Sequence, residues 1–92
     1  MEWMEVIKLR IAEKKRELVE HELEKLVAEV GNSGGMKDIK LYYNAVVDND
    51  LSIHLHWDSI SAESQGSATG LCLVHVLKKF GLISHSVWIE GQ

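Results

Sequence analysis

Leu51-Ser52-Ile53-His54-Leu55-His56-Trp57 decides how this chain is read. Leu51, Ile53, Leu55 and Trp57 alternate without a break with Ser52, His54 and His56. That period of two is the signature of a strand with one buried face and one polar face. Immediately before it, Asp48-Asn49-Asp50 is turn chemistry. Residues 39–47 precede the turn and again alternate: Ile39, Leu41, Tyr43, Ala45 and Val47 on one face, Lys40, Tyr42 and Asn44 on the other. Two β runs joined by a short polar turn predict an antiparallel hairpin.

Working outward, residues 3–11 form a further strand, with Ile7, Leu9 and Ile11 on one face and Lys8 and Arg10 on the other. Between it and the hairpin the period changes. Val19, Leu23, Leu26, Val27 and Val30 recur at helical spacing, with Glu and Lys elsewhere, which predicts a helix over 13–30 with a solvated charged face. Gly31-Asn32-Ser33-Gly34-Gly35 stops it.

On the C-terminal side, residues 58–66 are polar and predict an exposed loop. Ser67 can cap a second helix over 68–80, which ends in Lys78-Lys79 before Gly81. Leu71, Leu73, Val74, Val76, Leu77 and Phe80 surround that helix nearly completely, so it is expected to be buried on more than one side. Cys72 lies in this apolar run and reads as a small core residue. Residues 83–90 complete the pattern as a strand, with Val87 and Ile89 on one face and Ser86 and Trp88 on the other. The order is strand–helix–strand–strand–helix–strand. It predicts one α+β domain over residues 1–92, a ferredoxin-like βαββαβ unit with a four-stranded antiparallel sheet.

Composition narrows the function classes. The chain has 92 residues, a net charge of −4, no proline and one cysteine. A lone thiol excludes an internal disulfide and fits a reducing compartment. The basic residues are dispersed, which argues against a nucleic-acid partner. No apolar run approaches the ~20 residues of a membrane span, and the acidic start Met1-Glu2-Trp3-Met4-Glu5 lacks the layout of a signal peptide. The expected location is cytoplasmic, with no membrane partner.

If both helices cover the apolar side of the sheet, the opposite side carries Lys8, Arg10, Tyr42, Asn44, His54, His56 and Trp88. Such a surface marks a ligand site or an interface. A dimer that packs it inward adds the core a small chain lacks. His54 and His56 stand roughly 7 Å apart along the strand and could present two imidazoles to a metal or haem. No third ligand is evident, so packing and hydrogen bonding are the simpler reading and no metal or other cofactor is assigned. His75 reads as an interior or interface histidine that could also line a ligand site. Gly66-Ser67-Ala68-Thr69-Gly70 offers free N–H groups at a helix start but lacks the lysine of a phosphate-binding loop.

The element order, with Trp57 closing the third strand in His54-Leu55-His56-Trp57-Asp58-Ser59, resembles the antibiotic-biosynthesis-monooxygenase-like branch of the dimeric α+β barrel superfamily. The resemblance runs through Gly66–Leu71 and Leu77–Leu82 to His85–Glu90 and covers nearly the whole chain. It implies a homodimer with two facing sheets, forming a dimeric α+β barrel, and a pocket between sheet and helices. Some relatives oxidise phenols or quinols without a cofactor, using Asn, Trp and Tyr or His near the pocket; Trp57 matches in place. Others degrade haem with an Asn in the first strand, and this first strand has none. The resemblance thus implies a cofactor-independent monooxygenase acting on a small aromatic compound, with His54, His56 and Trp57 as catalytic candidates. Tyr42, Asn44, Trp88, Arg10 and His75 are the ligand-binding candidates. The alternatives are a non-catalytic dimer that binds a small ligand or another protein, and a metal or haem site on His54 and His56.

Overall fold

The structure, a computed structural model, describes residues 1–31 and 34–91. Four strands and two helices follow one another as β1 (Glu2–Ile11), α1 (Arg16–Val30), β2 (Met36–Tyr43), β3 (Asp50–Asp58), α2 (Ala68–Leu77) and β4 (Gly81–Ile89). A single 3-10 turn, Lys78–Phe80, links α2 to β4. The sheet order is β2-β3-β1-β4, with every neighbouring pair antiparallel. This is the ferredoxin-like α+β arrangement, with β1 and β3 central and β2 and β4 at the edges.

Both helices lie on one side. The inner row of β1 (Trp3, Ile7, Leu9, Ile11) meets that of β3 (Leu51, Ile53, Leu55, Trp57), with Val19, Leu23 and Leu26 of α1 and Leu73 and Leu77 of α2 packed above. Ile7, Ile53, Leu55 and Leu77 are wholly enclosed. Truncating any one of them to Ala would cost about 2–5 kcal/mol, since both buried area and close packing are lost.

Three local features differ from the sequence expectation. The first helix starts at Arg16 rather than near residue 13, because the chain must first leave the sheet. Ala12 N–H is tied to Phe80 O, Lys15 N–H turns back on Ala12 O, and Lys14 adopts φ +66°. The second strand ends at Tyr43, not Val47. There Asn44 Oδ1 accepts from the N–H groups of Val46 (2.8 Å) and Val47 (2.9 Å). A short amide that satisfies the backbone locally outcompetes the ladder, so the turn opens at Asn44. Cys72 is exposed, as is Leu71, because α2 sits on one face of the sheet and the rest of its circumference is open. Of the stop sequence Gly31–Gly35, Asn32 and Ser33 lie outside the described residues. Gly35 has φ +82°, a conformation glycine adopts without strain.

No helix among the described residues is long and apolar enough to cross a membrane.

Candidate functional site

The inner row of β1 contains one residue that does not belong in an apolar core. Glu5 stands between Trp3 and Ile7 on the helix-facing side and has no accessible surface. Burying an unpaired carboxylate is strongly unfavourable, so the fold has to supply it with donors. It supplies four. Glu5 Oε2 accepts from Trp57 Nε1 (2.8 Å) and from Ser67 Oγ (2.5 Å); Oε1 accepts from Ser67 N–H (2.8 Å) and lies 2.9 Å from His85 Nε2.

The four groups come from three separate parts of the chain. Trp57 is the last inner residue of β3 and stacks on Trp3, with ring centroids 5.6 Å apart. Trp3 Nε1 in turn donates to Ser59 Oγ at 2.8 Å, which ties the stack to the following loop. Ser67 is the N-cap of α2: its Oγ accepts from Gly70 N–H at 2.9 Å while its proton goes to Glu5. A helix start favours negative charge, and here the anion it receives is the protein's own carboxylate. His85 sits on the inner side of edge strand β4. Its side chain is 15% exposed, so the imidazole joins a sealed carboxylate to the surface.

Two glycines make room. A Cβ on Gly70 would overlap the Glu5 carboxyl, and one on Gly66 would overlap the His85 ring. Gly66 also has φ +97°, where an L side chain is strained.

In a neutral His85 imidazole, a proton assigned to Nε2 suits the carboxylate oxygen as acceptor and leaves a lone pair on Nδ1. Nδ1 makes no hydrogen bond among the described residues. A histidine held by a carboxylate on one nitrogen and open on the other is the arrangement of a general base.

Trp57 therefore lies in the layer between sheet and helices, while His54 and His56 lie on the opposite side of the sheet. The structure does not bring these three together. His54 and His56 have ring centroids 6.4 Å apart; Tyr42 packs on His54 at 4.6 Å, and His54 Nε2 is hydrogen-bonded to Ser52 Oγ at 2.9 Å. Burial holds His54 below the usual histidine range, and the neighbouring charges of His56 and Lys8 act in the same direction. Among the described residues no three His, Cys, Asp or Glu side chains gather as a cation site.

Trp88 is on the outer side, 58% exposed, with Nε1 donating to Ser86 Oγ. Arg10 grips Asp50 with two bonds, of 2.9 and 3.1 Å, which hold the Asp50 carboxyl below its ordinary range. Asn44 is committed through its oxygen to the hairpin turn. His75 is exposed on α2, across the sheet from the outer histidines.

Glu5, Ser67 and His85 were not read as one site from the sequence. A signal existed: extending Ile7, Leu9, Ile11 back by two lands an acid in the core row, and extending Val87, Ile89 back by two lands His85 on the same side.

No protein-family model matches this chain, and no curated protein matches it in sequence. Solved structures do match in fold. A conserved protein from Methanosarcina mazei Go1 superposes with a TM-score of 0.81 at 14% identity, covering 99% of this chain and 94% of that one. SnoaB from Streptomyces nogalater, a cofactor-independent oxygenase solved as an asparagine-to-alanine mutant, gives 0.76 at 16% identity, with 99% and 94% covered. A candidate antibiotic biosynthesis monooxygenase of Caulobacter crescentus CB15 gives 0.75 at 14%, with 99% and 91% covered. The chain thus has the fold of the antibiotic-biosynthesis-monooxygenase-like proteins over its full described length.

Proposed function

We propose that this protein is a cofactor-independent monooxygenase that acts on a small phenol or quinol. The observation that carries the reading is the Glu5–His85 pair: a sealed carboxylate 2.9 Å from an imidazole that reaches the surface. The resemblance in fold to SnoaB agrees with it.

In this reading a phenolic hydroxyl docks against His85 at the edge of β4, beside the apolar inner side chains of Val87 and Ile89. Nδ1 takes the phenolic proton, and the resulting imidazolium is paired with Glu5. Glu5 is a positioning residue that fixes the tautomer and supports the charge. The phenolate is electron-rich enough to reduce O2 directly. For the simplest case, one phenol and one O2 give one p-quinone and one water: the ring carbon gains a C=O bond, and the substrate supplies all four electrons. Trp57 closes the inner wall. It keeps its place as a catalytic candidate, while His54 and His56, on the other side of the sheet, have no direct path to the same substrate atom.

The outer face supports a homodimer. Met4, Val6, His56 and Trp88 occupy one end of it, and the exposed Trp88 indole gives a second copy an apolar surface to cover. A native mass of twice the chain is expected, and a monomer would remove this part of the reading. The location proposed for the protein is the cytoplasm.

The test of activity is oxygen uptake across a panel of phenols, quinols and anthrones, with product mass after reaction under 18O2. Uptake with one labelled oxygen retained in the product is expected, lost in His85→Ala and retained in part in His54→Ala. A folded protein with no uptake across the panel would count decisively against the oxygenase reading. It would leave a non-catalytic ligand-binding dimer, the reading that the polar outer face also supports.

A further inference from the structure

The helix layer covers the sheet unevenly. On edge strand β2, Leu41 stands opposite Ile53 and Tyr43 opposite Leu51, so both belong to the row that faces the helices. They are nevertheless 38% and 45% exposed. A cleft of about 570 Å³ opens there between β2 and α1. Leu23 and Val27 of α1 meet Leu41 and Tyr43 across it, and Arg16, Glu20 and Glu24 stand around it. That volume lies within the range of small-molecule sites. The cleft is on the helix side of the sheet. A dimer of facing sheets covers the other side and leaves this one turned outward.

The three charged side chains of the cleft are unequally committed. Arg16 Nε donates to Glu20 Oε1 at 3.1 Å and Nη1 to Asp48 O at 2.7 Å, while the guanidinium carbon lies 5.0 Å from the centroid of the Tyr43 ring. Those contacts hold Arg16 in place as an end wall and set its charge against that of Glu20. Glu24 is one helical turn beyond Glu20, exposed, and makes no hydrogen bond or ion pair among the described residues. Carboxylates four residues apart on a helix repel each other. The cleft therefore keeps one uncompensated negative charge beside an apolar surface. An anion would meet that repulsion, and a neutral molecule would leave it unrelieved. A cation with an apolar body complements both the charge and the surface.

We infer that this cleft binds a small arylalkyl amine, with its ammonium on Glu24 and its ring against Val27, Leu41 and Tyr43. A bond between ammonium and carboxylate is charge-assisted and orients the ligand. The ring covers the parts of Leu41 and Tyr43 that water now touches, and removing that apolar surface from water adds to the affinity. The ammonium also offsets the repulsion between Glu20 and Glu24. The site is built on α1 and β2, whereas Glu5 and His85 are held together by β1, α2 and β4. It does not rest on the oxygenase reading and stands or falls apart from it.

The probe is phenethylamine, titrated into the intact protein and followed by amide NMR shifts and calorimetry. Phenethyl alcohol and phenylacetate are the neutral and anionic controls of similar shape. Saturable shifts centred on residues 20–27 and 41–43 are expected, with binding that weakens as salt is added. Glu24→Gln should weaken the amine by about fivefold or more, to the level at which the alcohol binds. Phenylacetate should bind more weakly than the alcohol. Leu41→Ala, at an exposed edge position, should weaken amine and alcohol alike. Undiminished binding by Glu24→Gln would overturn the inference, as would equal binding of amine and alcohol by the parent protein. So would the absence of saturable shifts, or shifts centred on residues 5, 67 and 85. A change in native mass as the amine saturates would mean that a second copy of the chain occupies the cleft, and the inference falls.

Discussion

Glu5 Oε1 and His85 Nε2 stand 2.9 Å apart, one residue on the first strand and the other on the last, with the carboxylate sealed and the imidazole at the surface. The pair is not an ordinary surface ion pair, whose worth is small because water competes for both partners. Here the carboxylate has no access to water, so removing a donor leaves a charge that solvent cannot reach.

Glu5→Gln tests that relationship most directly. The amide keeps the shape but turns an N–H₂ toward groups that are themselves donors. A loss of about 3 kcal/mol or more is expected, because a buried network is broken rather than removed. In a domain of this size that lowers the melting temperature by roughly 10–20 °C. Urea unfolding with an unchanged m-value would measure it. A loss under about 1 kcal/mol would mean that the four contacts do not act together.

Trp57→Phe separates the indole's hydrogen bond from its stacking. The Phe ring can still lie against Trp3, while the donor to Glu5 Oε2 is gone. A hydrogen bond to a charged acceptor is worth about 1.5–3 kcal/mol, and that is the expected destabilisation by chemical denaturation.

Gly70→Ala sets two effects against each other. Alanine in a helix interior normally gains about 1 kcal/mol over glycine. At this position the new methyl would overlap a carboxyl that four hydrogen bonds hold in place. Overpacking of a rigid site costs about 1–3 kcal/mol, so a net loss is expected. A more stable variant would show that Glu5 can move aside.

Acid should weaken the fold through His54. Its folded pKa lies below the ordinary value of 6.5 because of burial, His56 and Lys8. The unfolded chain therefore binds the proton more readily than the folded one. Stability is full above the unfolded pKa and declines as pH falls from there toward the folded pKa, below which this contribution levels off. His54→Asn should flatten that part of the stability-versus-pH curve relative to the parent, as measured by urea midpoints between pH 7.5 and about 5.

The fold was legible because its strongest signals are local. The alternation from Leu51 to Trp57 and the helical spacing from Val19 to Val30 each determine an element without help from the rest of the chain. Asn44 was harder. Alternation continues past it to Val47, and only the side-chain bonds to Val46 and Val47 reveal that the strand has already ended. The second helix misled in another way: apolar residues nearly all round suggested burial on more than one side, whereas a two-helix layer on one sheet face leaves Leu71 and Cys72 outside. The site was legible only in Trp57. Glu5 looks like one more acid in an acidic terminus until the β1 register puts it in the core row, and Ser67 looks like an ordinary helix cap until its proton is followed to Glu5. Spacing along a chain cannot express a relationship among positions 5, 57, 67 and 85.

That same separation bears on how the chain reaches its native state. The partners of Glu5 lie 52, 62 and 80 residues away from it. Pairing of β1 with β3 alone gives the acid a single donor, and until α2 starts at Ser67 and the last strand docks at the sheet edge it remains largely unsatisfied. Partly folded forms that have gathered the apolar residues but lack the C-terminal quarter are therefore penalised by one side chain. The carboxylate works as a late checkpoint, making the final strand a condition for the stability of the first and binding the two ends of the chain into a single cooperative transition.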